Sequence, residues 1–261
     1  MQRRGVEVWP INTVQFSNNT SYESWRGPLL AATDVSEIVT GIDELGMLDR
    51  VDAVLSGYQG AEDVGASILA AVDLVQQRNP SAFYCCDPVM GDEGRGFYVR
   101  PGIPQFMRDE VVPRARVVTP NQFELNFLVG RQQTPTLTDI LSAADELRAE
   151  GPQTVLVTSA LHDDLPPETV SMVAVTADGA WEVRTPRIDH YFTGTGDMTA
   201  ACFLSDILTA GDVAAAAQRT AATVYGVLEV TAATNERELQ LIPAQDEIVN
   251  PSNTFEIIRI R

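Results

Sequence analysis

The sequence predicts an α/β protein built on a mostly parallel central sheet with helices on both faces. Three observations carry that prediction. Short apolar runs alternate with stretches of helical periodicity along the chain. The runs are continuously apolar rather than alternating, the pattern of strands buried on both faces. They close on clusters of Asp, Asn, Ser, Thr, Gly and Pro, residues that favour turns for distinct steric and hydrogen-bonding reasons.

Taken in order, Val6–Trp9 reads as extended, and so does Asp52–Leu55 before Ser56-Gly57. Val64, Ile68, Leu69, Val72 and Val75 have helical spacing that ends before Asn79-Pro80. Ala82–Cys86 is a strand closed by Asp87-Pro88, and Val117-Val118 is another, closed by Thr119-Pro120-Asn121. A helical pattern at Ile140, Leu141, Ala144 and Leu147 precedes a strand at Thr154–Val157. Val170–Val175 and Ala180–Val183, joined by Ala177-Asp178-Gly179, read as a hairpin. Two long helices follow, Asp197–Thr209 and Asp212 to about Thr231, with Gly211 as the stop between them. No linker, internal repeat or low-complexity segment interrupts the series, so residues 1–261 are expected to form one domain.

Composition excludes several classes. At 261 residues and 44% apolar content, the chain can bury a full core. A net charge of −18 argues against a nucleic-acid partner, which needs a basic face, and against anionic membranes. No apolar run is long enough to span a bilayer, and Met1-Gln2-Arg3-Arg4-Gly5 is no signal-peptide core. Cys85, Cys86 and Cys202 show neither disulfide nor metal-site spacing, which fits a reducing cytoplasm. All 18 basic side chains are arginine. A chain without lysine cannot use a Walker-type phosphate loop, a Schiff-base cofactor or the ion-pairing lysine of protein kinases. Any nucleotide phosphate must therefore meet backbone amides, arginine and metal.

In a parallel sheet, ligands collect at the carboxyl ends of the strands. Ser56, Asp87, Thr119, Asn121, Thr158 and Ser159 stand there, either as turn residues or as ligand contacts. The sharpest local feature is Thr193-Gly194-Thr195-Gly196-Asp197 at the head of a helical pattern. Two glycines let the backbone bring its N–H groups close to an anion, and the helix adds unpaired first-turn amides and its positive end. Asp197 at that position either caps the helix or faces a substrate.

The Gly194–Asp197 segment resembles the anion hole of ribokinase-like small-molecule kinases. Further stretches resemble the pyridoxal kinases in particular: Asn12 to Asn18, Ser56-Gly57-Tyr58, Cys86 to Gly91, Thr119 to Leu125, Glu238 to Leu241, and Ala244 through Pro251. The resemblance implies a three-layer α/β/α fold and ATP-dependent phosphorylation of the 5′-hydroxymethyl group of a B6 vitamer. A hydroxymethylpyrimidine or sugar kinase, or a non-catalytic B6- or nucleotide-binding protein, are the alternatives. Asp197 is implied as catalytic base and substrate contact, with Gly194, Thr195 and Gly196 as the anion hole. Thr20, Ser21 and Tyr58 would line the pyridine pocket. Asp87 and Glu124 would organise Mg²⁺ directly or through water, beside the triphosphate. Thr119 and Thr158 would contact nucleotide phosphates, and Thr185, Pro186, Arg187 and Ile188 would border adenine and ribose. Mg²⁺ and ATP are implied, a monovalent cation is admitted, and the family suggests a cytoplasmic homodimer. His162 and His190 match no family role and are expected at the surface. The family's opening strand, glycine-rich turn and pyridine-binding serine fall before Met1, so an N-terminally truncated domain with weakened vitamer binding is expected.

Overall fold

The computed structural model describes residues 1–261. Strands β1 (Ala53–Ser56), β2 (Phe83–Cys86), β5 (Val117–Val118) and β6 (Thr154–Ala160) are parallel to one another. The small antiparallel hairpin β3 (Gly91–Asp92) and β4 (Gly96–Phe97) lies between β2 and β5 in the chain and stands apart from the main sheet. Strands β7 (Thr169–Val175), β8 (Ala180–Pro186) and β9 (Ile257–Arg259) extend the main sheet in antiparallel fashion, giving the order β1-β2-β5-β6-β7-β8-β9.

Helices are α1 (Ala32–Glu44), α2 (Glu62–Arg78), the short α3 (Ile103–Phe106) continued by a wider turn at Met107–Val111, and α4 (Gln122–Leu128). They are followed by α5 (Leu137–Ala149), α6 (Thr195–Ala210), α7 (Val213–Thr234) and the short α8 (Gln245–Val249). Successive strand residues point to opposite faces, and the core divides accordingly. Cys86, Val118, Val155, Val157, Val173 and Val175 pack on one face with Leu69 and Val72 of α2, Leu125 of α4 and Ile140 and Leu147 of α5. Their neighbours Cys85, Val117, Leu156 and Ala174 pack on the other with Phe203 and Leu204 of α6 and Ala217 and Val224 of α7. Burial on both sides is why these strands read as unbroken apolar runs.

Two expectations need correcting. Val6–Trp9 joins no sheet, and β1 is itself the sheet edge. His162 is not a surface residue: its side chain is fully buried, with Nε2 2.8 Å from Oε1 of Glu182, which is also fully buried. The other oxygen of Glu182 accepts from Nε and Nη2 of Arg184. A charge out of water needs such pairing, and hydrogen bonds from Arg184 and His162 hold the Glu182 pKa below its usual value despite burial. His190 is half-buried and donates from Nε2 to the Glu236 carbonyl at 2.8 Å.

Near the amino end, Arg4 reaches across the molecule. It donates to Asp206 Oδ2 at 2.5 Å, Thr223 Oγ1 at 2.6 Å, and the carbonyls of Cys202 and Ile248. The Arg4 and Asp206 side chains are 3% and 6% exposed, so this pair is an interior one.

Candidate active site

Neighbouring strand ends are laced together at the carboxyl edge of the sheet. Asp87 N donates to Ser56 O, Thr119 N to Cys86 O, and Thr158 N to Pro120 O, at 2.9–3.1 Å. This lacing aligns the residues that follow β1, β2 and β5 with those at the end of β6. The β6–β7 ladder shifts register between Val157 and Ala160, and Thr158 and Ser159, which lie within that irregularity, line the cleft. The carboxyl end of antiparallel β8 lies on the same edge, because Pro186 pairs with Thr169 and Ser171 pairs with Ala160. Thr185, Pro186, Arg187 and Ile188 thereby reach the site.

Helix α6 closes it from the other side. Its N-cap is Gly194, at φ 91°, a left-handed conformation that costs glycine little and other residues more. Met198 N donates to Gly194 O at 3.1 Å. The amides of Thr195, Gly196 and Asp197 precede that first helical bond and stay available to an anion. Asp197 is therefore not the cap but the third helical residue. An added Cβ on Gly57 would lie 3.5 Å from Asp197 Oδ1, and one on Gly196 3.7 Å from Asp87 Oδ2. The two carboxylates thus border the same bare stretches of backbone.

Glu124 joins three segments. Its Oε1 accepts from Met90 N at 2.8 Å, and its Oε2 accepts from Asn121 N at 3.0 Å. Asn121 returns the bond by capping Glu124 N, a reciprocal capping box at the start of α4. Asn121 also donates to Gly91 O. Asp87 Oδ1 accepts from Thr119 Oγ1 at 3.3 Å, while Oδ2 is buried with no partner.

The electrostatics follow from this crowding. Burial, then the nearby Glu124 and Asp197 charges, push Asp87 well above the usual carboxylate range. Burial raises Glu124 to about 7, against the pull of its backbone hydrogen bonds. Asp197 opens into the cleft, yet the enclosing walls disfavour its charge and raise its pKa. Burial likewise raises the Tyr58 phenol. No three carboxylate, histidine or cysteine side chains converge closely enough to hold a metal by themselves.

The residues implied by the resemblance line one cleft of about 800 Å³: Thr20, Ser21 and Tyr58 toward the amino-terminal loop, Asp87, Thr119, Glu124 and Thr158 along the sheet edge, Thr185 to Ile188 beyond β8, and Gly194 to Asp197 at α6. Asn121 and Ser159 join them, whereas Ser56 does not, its buried hydroxyl being paired with Tyr84 Oη at 2.6 Å. Sequence reading missed the β3–β4 hairpin residues Asp92, Arg95 and Tyr98, and the strap residue Tyr191, all of which line the same cleft. Two-residue strands leave no periodicity from which to find them.

A three-layer α/β/α fold with a glycine-capped helix and an aspartate on its first turn defines a ribokinase-like small-molecule kinase. A family model described as phosphomethylpyrimidine kinase matches residues 52–241. Pyridoxal kinase PdxY of Rubrobacter xylanophilus is 51% identical over 261 residues, covering 100% of this chain and 90% of that protein. Pyridoxal kinase PdxY of Leifsonia xyli is 47% identical, with 100% and 92% covered. The solved structure of pyridoxal kinase from Leishmania donovani in complex with ADP and pyridoxamine superposes with a TM-score of 0.91 at 25% identity, covering 100% of this chain and 92% of that one. The chain belongs to the pyridoxal kinase family.

Proposed function

We propose that the chain transfers the γ-phosphoryl group of ATP to the 5′-hydroxymethyl oxygen of pyridoxal or a related B6 vitamer, as its relatives' name implies. One observation carries this reading: Asp197 stands beside three free first-turn amides in a cleft that also gathers Tyr58, Thr20 and Ser21. The vitamer hydroxyl attacks phosphorus as the bond to the β–γ bridging oxygen breaks, and ADP leaves with that electron pair. The hydroxyl proton passes to Asp197. An alcohol is too weak an acid to be ionised beforehand by a carboxylate, so positioning contributes more than basicity. The amides of Thr195, Gly196 and Asp197 meet the charge on the transferring group in fixed geometry.

Thr119 and Thr158 contact nucleotide phosphates in this reading, and Thr185 to Ile188 border adenine and ribose. The donor set suits a hard cation held by few protein ligands, as Mg²⁺ is. The unpartnered buried Asp87 Oδ2 is the oxygen left for it, while both Glu124 oxygens are engaged with backbone and would reach the ion through water. When bound, Mg²⁺ neutralises triphosphate charge. We assign the working form to a cytoplasmic homodimer with one domain per chain on the family resemblance, and the free thiols of buried Cys85, Cys86 and Cys202 suit a reducing compartment.

The test is ATP consumption with pyridoxal, pyridoxine, pyridoxamine and hydroxymethylpyrimidine, with product identified by mass. Phosphorylation of a B6 vitamer is expected. Turnover of hydroxymethylpyrimidine alone, or of none, would reject the assignment.

A further inference from the structure

Three loops meet above the cleft, around one arginine that belongs to no element. Helix α7 is capped by Asn235, whose φ of 58° turns the chain back toward the site. Arg237 follows. Its carbonyl accepts from Thr193 N at 2.9 Å, directly before the Gly194 cap, and Thr193 also pairs with Glu238. Backbone contacts therefore fix Arg237 against the strap that leads into the anion hole.

The side chain makes an unusual set of contacts for this chain, which carries twice as many acidic as basic residues, 36 against 18. The guanidinium carbon sits 4.5 Å from the Tyr22 ring centroid and 4.6 Å from that of Tyr191. Nη2 donates to Ser21 Oγ at 3.2 Å, and Nε is buried without a partner. The guanidinium thus finds rings and a hydroxyl rather than a carboxylate. Tyr191 continues the chain of contacts, because Arg95 lies 5.1 Å from its ring and hydrogen-bonds its hydroxyl. Arg95 belongs to the β3–β4 hairpin, which Glu124 and Asn121 tie to α4.

We propose that Arg237 is a positioning residue that clasps the Thr20–Tyr22 loop over the phosphoryl-transfer site by stacking on Tyr22 and Tyr191. The inference rests on the kinase reading above. The clasp joins the vitamer side, through Ser21 and Tyr22, to the strap before the anion hole and, through Tyr191 and Arg95, to the β3–β4 hairpin. A planar, weakly hydrated cation can stack on two rings while its edge donates a hydrogen bond; an ammonium cannot match that geometry. Closing the loop in this way orders the vitamer contacts and keeps water from the transferring group.

The test compares Arg237→Ala, Arg237→Lys, Tyr22→Phe and Tyr22→Ala. Loss of both stacking contacts and the Ser21 bond should lower kcat/KM for pyridoxal about 10- to 100-fold, chiefly through KM. The KM for ATP should stay within about twofold, and ATP hydrolysis without vitamer should rise. Arg237→Lys should be nearly as impaired as Arg237→Ala, whereas Tyr22→Phe, which keeps the ring, should restore most of what Tyr22→Ala loses. Trp25, packed on Phe16 at 4.1 Å in the same loop, reports closure, and its fluorescence response to pyridoxal should be reduced in both Arg237 variants. Full activity in Arg237→Lys would leave charge alone as the requirement and overturn the clasp. Equal losses in both KM values with a lowered Tm would overturn it too, as a folding defect. A wild type that phosphorylates no vitamer refutes the kinase reading alone; an active wild type with an unimpaired Arg237→Ala refutes this one.

Discussion

Replacing Glu124 by glutamine should stabilise the ligand-free protein at alkaline pH while impairing it as an enzyme. Glu124 is 3% exposed and its pKa is raised to about 7 by burial, against roughly 4.3 for a free glutamate. The sign follows from linkage. Above pH 7 both folded and unfolded chains ionise the group, and the folded chain does so at a cost. As pH falls below 7, the folded chain takes up a proton that the unfolded chain does not take up until near its own, lower pKa, so wild-type stability rises. Each pH unit inside that window is worth about 1.4 kcal/mol. Between pH 8 and pH 5 the wild type should therefore gain roughly 2.5 kcal/mol from this group. Glutamine has no proton to exchange and misses that gain. Any fixed cost of turning an amide toward the Asn121 N–H applies at both pH values and cancels from the comparison. For a chain of this size, roughly 2.5 kcal/mol corresponds to about 5–10 °C in Tm. The assay is thermal unfolding of both proteins at pH 5 and pH 8. The Tm of Glu124→Gln relative to wild type should rise by that amount from pH 5 to pH 8, and under the proposed role of Glu124 beside Mg²⁺ its turnover should fall at least about tenfold. A Tm difference that is the same at pH 5 and pH 8 would refute the buried-carboxylate reasoning.

Asp197→Asn should lower turnover by roughly two to four orders of magnitude with ATP affinity little changed; near-normal kcat would remove Asp197 as base. Because Asp197 is raised from the usual aspartate value and must be ionised to accept a proton, wild-type kcat/KM should climb with pH through an inflection above that value. The lysine-free chain should take up no borohydride-trapped pyridoxal on any side chain, leaving only the terminal α-amine to react; mass spectrometry of labelled peptides checks this. Arg4→Ala should cost about 2–3 kcal/mol, less than the full penalty for an unpaired buried charge, because Asp206 loses its close partner and keeps only the longer contact to Arg219 at 3.7 Å, and denaturant titration should show it as a lowered midpoint with unchanged slope.

Much of the site was legible because parallel strands buried on both faces write themselves as unbroken apolar runs, and the polar residues closing them must stand at the ligand edge. Asp87, Thr119 and Thr158 were placed by that rule alone. The Gly194–Asp197 turn was legible because a left-handed cap and free amides require glycine there. Contacts between residues far apart in sequence left no such trace. His162 reads as a surface residue after a strand, since its partner Glu182 arrives 20 residues later across the hairpin. Helix α1 buries Val35 and Val39, but Thr40 and Gly41 weaken its local pattern. The stack of Arg237 on Tyr22 and Tyr191 joins three loops, and no periodicity relates them.

Arg4 has a consequence for the order in which the molecule is made. Its side chain is held by Thr223 and Ile248, 219 and 244 residues further along. At about 5–20 residues per second, translation separates Arg4 from Ile248 by roughly 12–50 s. Its interior carboxylate, Asp206, is made 202 residues after it, and the last of its partners, the Ile248 carbonyl, only at the end of that interval. The growing chain therefore stays unlatched until its last helices emerge.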